Sequence, residues 1–177
     1  MNLTIIDFLK NNKINLKYIC KNYNGKNIMP QIKWNRINNA LSYAIIFEDP
    51  DTPHGNFIHM YIPYIKKNIC ILGELNTNKK FDSNINSLDM SLVNIIFGKN
   101  HVNKFGYHGP CAPPNTGIHR YIFTIYALDN ILKINNDNIE IHSSTQFEEI
   151  LQKNKINILS KDNKQFTYSY MNYQSNK

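Results

Sequence analysis

Two segments, LSYAIIFE over Leu41–Glu48 and RYIFTIYAL over Arg120–Leu128, are apolar at odd and even positions alike. Strand side chains alternate between faces, so a strand apolar on both needs packed layers above and below it. Both segments are therefore expected at the centre of a sheet covered on each side. Shorter runs supply its neighbours: strands are predicted at Phe57–Pro63, Ile69–Leu75 and Gln165–Tyr170. Lys17–Trp34 breaks up at Asn24-Gly25 and Met29-Pro30 and reads as short strands and loops. Two helices are predicted. Thr4–Asn11 has Thr4 as cap, Asp7 near the positive helix end, and Ile5, Phe8 and Leu9 on one face. Thr145–Gln152 carries a capping box of Thr145 and Glu148. Without a repeat or a clear linker, the 177 residues read as a single mostly β domain, antiparallel, with few helices.

Charge and composition narrow the partners. Lys and Arg number 20 against 13 acids, a formal net charge of +7, which favours anionic partners in general. The basic residues are dispersed in pairs such as Lys66-Lys67 and Lys79-Lys80. That dispersal reads as a solvated basic surface and not as a nucleic-acid groove. The apolar runs fall well short of the roughly 20 residues that cross a bilayer. The N-terminus, MNLTIIDFLKNNK, has an acid inside its apolar stretch and no cleavable signal pattern, so a soluble, cytoplasmic protein is expected. Three cysteines argue against a disulfide scaffold.

Chemistry concentrates in two places. In EDPDTPHGNFIHMYIP, Glu48–Pro63, a buried strand runs into two carboxylates, Asp49 and Asp51, held in a turn that prolines stiffen. One of its X-Pro bonds is a candidate for the cis form. Alternation then places Phe57, His59 and Tyr61 on one face and Ile58, Met60 and Ile62 on the other. In GYHGPCAPPNTGIHRYIFTIYALD, Gly106–Asp129, a Gly- and Pro-rich loop offers backbone N–H groups that can cradle an anion. It feeds a strand with His119, Tyr121 and Phe123 on one face and Arg120 opposite. His54, His101 and His142 read as isolated surface residues, and His108 lies inside the loop. Any one of these features is ordinary; two carboxylates and two histidines at strand–loop junctions point to a binding site.

The DPDTP and GNFIHM segments, together with GYHGPCAPPNTGIHRYIFTIYALD, resemble the phosphatidylethanolamine-binding protein family. YICKNYNGKNIMPQIKW, Tyr18–Trp34, is similar to the corresponding segment of its bacterial-type branch. The resemblance runs from about residue 17 to residue 129. It implies a large central antiparallel sheet with a smaller second sheet and a few peripheral helices. It also implies an anion pocket for phosphate or a phosphoryl head group, without a cofactor or catalysis. Matched position by position, that pocket would comprise Asp49, Asp51, His59, Gly109, Pro110, His119 and Tyr121. His108, Ala112 and Met60 depart from the branch's pattern and bear on the pocket's width.

On this reading His59 and His119 donate to a phosphate oxygen, backbone N–H groups of the Gly109 loop add further bonds, and the two Asp residues hold the imidazoles from behind. Charged histidines would then tighten anion binding as pH falls through about 6.5. The resemblance also implies a possible protein kinase or protease partner, recognised by loops such as Asn76–Asn103. The alternative is a metal-dependent hydrolase built from the two Asp and two His residues, since zinc takes both ligand types. Cys20 and Cys111 both lie in matched segments; a reducing cytosol predicts free thiols there, and no bond between them is required.

Overall fold

The computed structural model describes residues 1–75 and 94–170. The segment Asn76–Asn103, where partner recognition was expected, therefore falls largely outside the described residues. The expected central strands form as β5 (Ser42–Thr52) and β9 (Ile118–Leu128). They pair antiparallel with each other in a five-stranded sheet whose order is β10-β9-β5-β6-β8. Here β6 is Gly55–Lys66, β8 is Ile95–Ile96 and β10 is Ile158–Ser169. A smaller sheet joins β1 (Thr4–Ile5), β4 (Ile32–Lys33) and β7 (Ile71–Leu72), and β2 (Leu9–Lys10) pairs with β3 (Lys13–Ile14). The architecture is mostly β, as expected, and a core fills each face of the large sheet. One core holds Tyr43, Ile45, Phe47, Tyr121, Phe123 and Ile125 against the N-terminal segments. The other holds Ala44, Ile46, Tyr126 and Leu128 against the helix α1 (Ser144–Lys153) through Phe147 and Leu151. Alternate residues of β5 and β9 thus enter opposite cores, which is why both strands are apolar throughout.

The predicted N-terminal helix does not form. Asp7, Asn11 and Asn12 take positive φ of 53°, 53° and 60°, which Asp and Asn tolerate better than other side chains and which a right-handed helix excludes. The chain instead makes short strands and inserts Phe8 among Phe47, Phe123 and Phe166. The C-terminal helix forms, with its cap two residues earlier than predicted. Ser143 Oγ accepts from Gln146 N at 3.0 Å, and Gln146 Oε1 accepts from His142 N at 2.6 Å. Glu48, buried at the end of β5, accepts from Ser144 N and Ser144 Oγ and so ties the helix start to the central sheet.

Simple alternation fails along β6. Phe47 is opposite Met60 and Glu48 is opposite Ile58, so His59 is an extra residue on β6, a β-bulge. The bulge turns His59 toward Phe47 and Tyr121, in the same core as Met60 and Ile62, while Ile58 and Tyr61 enter the other core. A second irregularity falls at Pro63–Tyr64, where a residue without an N–H does least damage to the ladder. No peptide bond among the described residues is cis, so the expected cis-proline is absent there.

Candidate functional site

The ends of β5 and β6 meet the loop that precedes β9, and a cavity of about 440 Å³ opens between them. Asp49 and the Thr52–His54 turn form one wall, Phe57 and His59 a second, and His108 with Cys111–Pro113 a third. Val102 closes the remaining side. The walls are largely apolar and aromatic.

The His59 ring is 2% exposed and wedged among aromatic rings: Phe57 at 4.7 Å, Phe47 at 5.0 Å and Tyr121 at 5.5 Å between centroids. Its Nδ1 lies 2.8 Å from the His108 carbonyl oxygen, and His108 N donates back to the His59 carbonyl at 2.8 Å. A carbonyl can only accept, so Nδ1 carries the ring proton and Nε2 presents a lone pair. Burial holds His59 well below the ordinary histidine range, and the neighbouring His108 adds to this. The His108 ring lies nearly parallel to His59 at 5.9 Å, and burial followed by the Lys104 charge lowers its pKa to about 4. Both imidazoles are therefore neutral at pH 7.

His119 is completely buried on the same side of the sheet, with the Tyr121 ring between it and His59. Both of its ring nitrogens are taken. Nδ1 lies 2.7 Å from Asp49 Oδ2, and Nε2 lies 2.8 Å from Thr116 Oγ1. Thr116 Oγ1 spends its own proton on the Pro113 carbonyl, so it must accept from His119 Nε2. One proton then remains between His119 Nδ1 and Asp49, whose other oxygen accepts from Asp51 N at 2.9 Å. Burial raises the Asp49 pKa, against the opposing pull of the His119 bond. Asp49 faces the cavity, whereas His119 stands behind it and does not line it.

The remaining sequence-predicted residues have other duties. Asp51 grips Arg120 through both carboxylate oxygens, at 2.6 and 2.8 Å, and accepts from Arg120 N. That guanidinium keeps its carboxyl below the usual range. The Gly109 N–H, expected to face an anion, donates to Asn27 Oδ1 at 2.8 Å. Pro110 accepts from Cys20 N through its carbonyl. A Cβ on Gly109 would come within 2.3 Å of the Tyr18 carbonyl oxygen, so glycine is needed there for close packing of two chain segments. Tyr121 is a core ring between the two histidines. Of the seven residues expected in the pocket, Asp49 and His59 line the cavity.

Sequence reasoning missed three contributors. Asn27, held at φ 54°, bonds Tyr107 O and Gly109 N and so fixes the loop from behind; its place in an Asn-rich stretch concealed it. His101 is no isolated surface residue: its Nδ1 accepts from Ile58 N and its Nε2 lies 3.1 Å from the Ile141 carbonyl. Cys20 and Cys111 are joined in a disulfide, not free, and so clamp the 17–27 segment to the cavity loop across 91 positions of sequence. Both cysteines lay in motif segments, which was the available signal.

Comparison with known proteins bears on all of this. The family model described as phosphatidylethanolamine-binding protein matches residues 4–169. A UPF0098 protein of Pyrococcus horikoshii is 34% identical over 136 residues, covering 76% of this chain and 63% of its own length, so the match spans less than two thirds of that relative. A UPF0098 protein of Methanothermobacter thermautotrophicus is 33% identical, over 76% of this chain and 80% of its own. Among solved structures, a candidate phosphatidylethanolamine-binding protein homologue from Chlamydia trachomatis superimposes with a TM-score of 0.67 at 26% identity, covering 94% of this chain and 95% of its own. Escherichia coli YbcL, described as a member of the mammalian family, shares the fold, with a TM-score of 0.71 at 17% identity over 95% and 97% of the two chains.

Proposed function

Because the chain belongs to the phosphatidylethanolamine-binding protein family, we propose that it binds a small head-group ligand, one bearing a phosphoryl group, in the cavity between the Thr52–His54 turn and the Cys111–Pro113 loop. The observation that carries this is a 440 Å³ cavity at the strand ends that the two motif segments mark, with the buried Asp49 and His59 in its wall. That volume lies within the ~300–1,000 Å³ typical of small-ligand sites, which pair apolar walls with a few placed polar atoms. So small a contact supports binding in the roughly micromolar to millimolar range.

The protein works by binding, not by turnover. Asp49 and His119 satisfy each other, and Asp51 is committed to Arg120, so the two carboxylates and two histidines of the hydrolase alternative do not converge as a ligand set. Among the described residues no three metal-ligating side chains come together. Among them, too, no helix is long and apolar enough to cross a membrane. The closed Cys20–Cys111 bond favours an oxidising compartment over the reducing cytosol.

Crystals soaked with phosphorylethanolamine provide the test. Density for the head group against His59 is the expected result. An empty cavity at millimolar ligand, with unshifted His59 and His108 ring resonances in solution, would overturn the reading.

A further inference from the structure

We propose that β10 is the docking edge for a second copy of this chain: the two copies pair through Ser160–Phe166 about a two-fold axis at Asn163, joining their five-stranded sheets into one. β10 ends the sheet order, and among the described residues it has no neighbour on its outer side. It runs for 12 residues, whereas β8 at the opposite edge has 2. A long open edge presents a row of unspent N–H and C=O groups to another chain. The ladder shows which residues carry them. Leu128 O accepts from Leu41 N on the β5 side, and Asp129 N donates to Asn157 O on the β10 side. Even-numbered residues of β9 therefore bond toward β5 and odd-numbered ones toward β10. Ile125 stands opposite Asp162 and Phe123 opposite Lys164, so β9 holds the even positions of β10 and the odd ones face outward. The Asn163 N–H agrees, since it turns back to Asp162 Oδ1 at 2.8 Å.

Charge selects the occupant and the register. A strand that pairs antiparallel with its own copy places one residue opposite itself on the axis. With Lys161, Asp162 or Lys164 there, like charges stand directly opposite, which destabilises the pair. At positions nearer either end, Gln165 included, no opposite charges meet and the ladder shortens. With Asn163 on the axis, Asp162 faces the partner's Lys164 on both sides of it, and Lys161 faces the partner's Gln165. The groups are placed for this exchange. Lys164 is exposed, and Asp162 holds Leu3 N on Oδ2 and Asn163 N on Oδ1. On pairing, Asn163 N passes to the partner's Asn163 carbonyl, which releases Oδ1 to the partner's Lys164. Lysines on an edge discourage pairing with other strands. In this register Lys164 meets a carboxylate, and Lys161 keeps its own partner, Glu148. The interface is self-complementary and closes at two copies. Because the strands run oppositely, the two cavities open at opposite ends of the joined sheet.

Sedimentation equilibrium of the full chain, from micromolar to sub-millimolar concentration, provides the first test and should show a monomer–dimer equilibrium. Lys164→Glu changes an exposed side chain and turns both opposite-charge pairs into like-charge pairs, so it should weaken the dimer by about tenfold. The register is read separately, in a Cys70→Ser background that removes the free thiol. Asn163→Cys brings two thiols to the axis, where paired strands hold their Cα atoms about 5.5 Å apart, within disulfide range. In the same register the thiols of Lys161→Cys are about 14 Å apart. Mild oxidation should therefore cross-link the dimer through Asn163→Cys and not through Lys161→Cys. A chain that stays monomeric overturns the proposal. So does a dimer indifferent to Lys164→Glu, or one that fails to cross-link through Asn163→Cys, since another face would then join the copies.

Discussion

His108 should make the protein acid-sensitive, by an amount that can be worked out. Its ring is packed against His59 and Phe57, near the Lys104 charge, and titrates at about 4 instead of 6.5. Between those values the unfolded chain binds a proton that the folded chain refuses, so stability rises with pH across the window and is lost as pH falls. The contribution is complete above about pH 6.5. For a single group with these two values, the loss at pH 5 is RT times the logarithm of roughly 30, about 2 kcal/mol. Replacing His108 with Leu removes the titration and retains an apolar contact. Urea unfolding of both proteins at pH 8 and pH 5 reads the effect, because titrating groups that are not coupled to His108 cancel in the difference of differences. Following the His59 ring by NMR in both proteins accounts for the neighbour that is coupled. The wild type should lose about 2 kcal/mol more than His108→Leu on acidification. Equal losses, or a His108 ring proton that titrates near 6.5 by NMR, would refute the burial argument.

Three further outcomes follow from the same geometry. Breaking the 91-position loop with Cys20→Ser or Cys111→Ser should cost about 4–5 kcal/mol by chain entropy, read as a shift of the urea midpoint under oxidising conditions. Gly109→Ala should destabilise more strongly than an ordinary surface change, since its Cβ meets the Tyr18 carbonyl, and a wild-type melting temperature would contradict that packing. Asp49→Leu leaves the buried His119 ring without its partner and should cost about 3–5 kcal/mol. Asp49→Asn should recover most of this loss, because its amide can donate to His119 Nδ1 and its oxygen can still accept from Asp51 N.

The sheet was legible because its signal is local. Leu41–Glu48 and Arg120–Leu128 needed only their own side-chain pattern to be placed between two layers, and they form the paired centre of the sheet. The N-terminus failed for the complementary reason. Thr4–Asn11 carries a plausible helical face, yet Phe8 gains more from the aromatic core, and Asp7 and Asn11 can adopt the left-handed backbone that this insertion requires. The bulge at His59 was also hidden, because an extra residue in a ladder is a property of two strands and neither sequence records it alone.

The site divides along the same line. The motifs located the right strand ends, since a turn rich in Pro and a loop rich in Gly and Pro declare themselves locally. What they could not declare was how the donors are allotted. Arg120, Gly109 and His119 each carry a donor suited to an anion, and each gives it to a protein partner: Asp51, Asn27, and the pair Asp49 and Thr116. Once those are subtracted, the polar side chains left at the cavity wall are Asp49, Thr52, His54, His59 and His108. A loop that looks like a cradle of N–H groups in sequence spends two of them, those of His108 and Gly109, within the protein. Each motif residue is thus held by a residue behind it: Asn27 behind Gly109, Thr116 behind His119 and the His108 carbonyl behind His59. Changing any of these three should disturb the site without altering the motifs themselves.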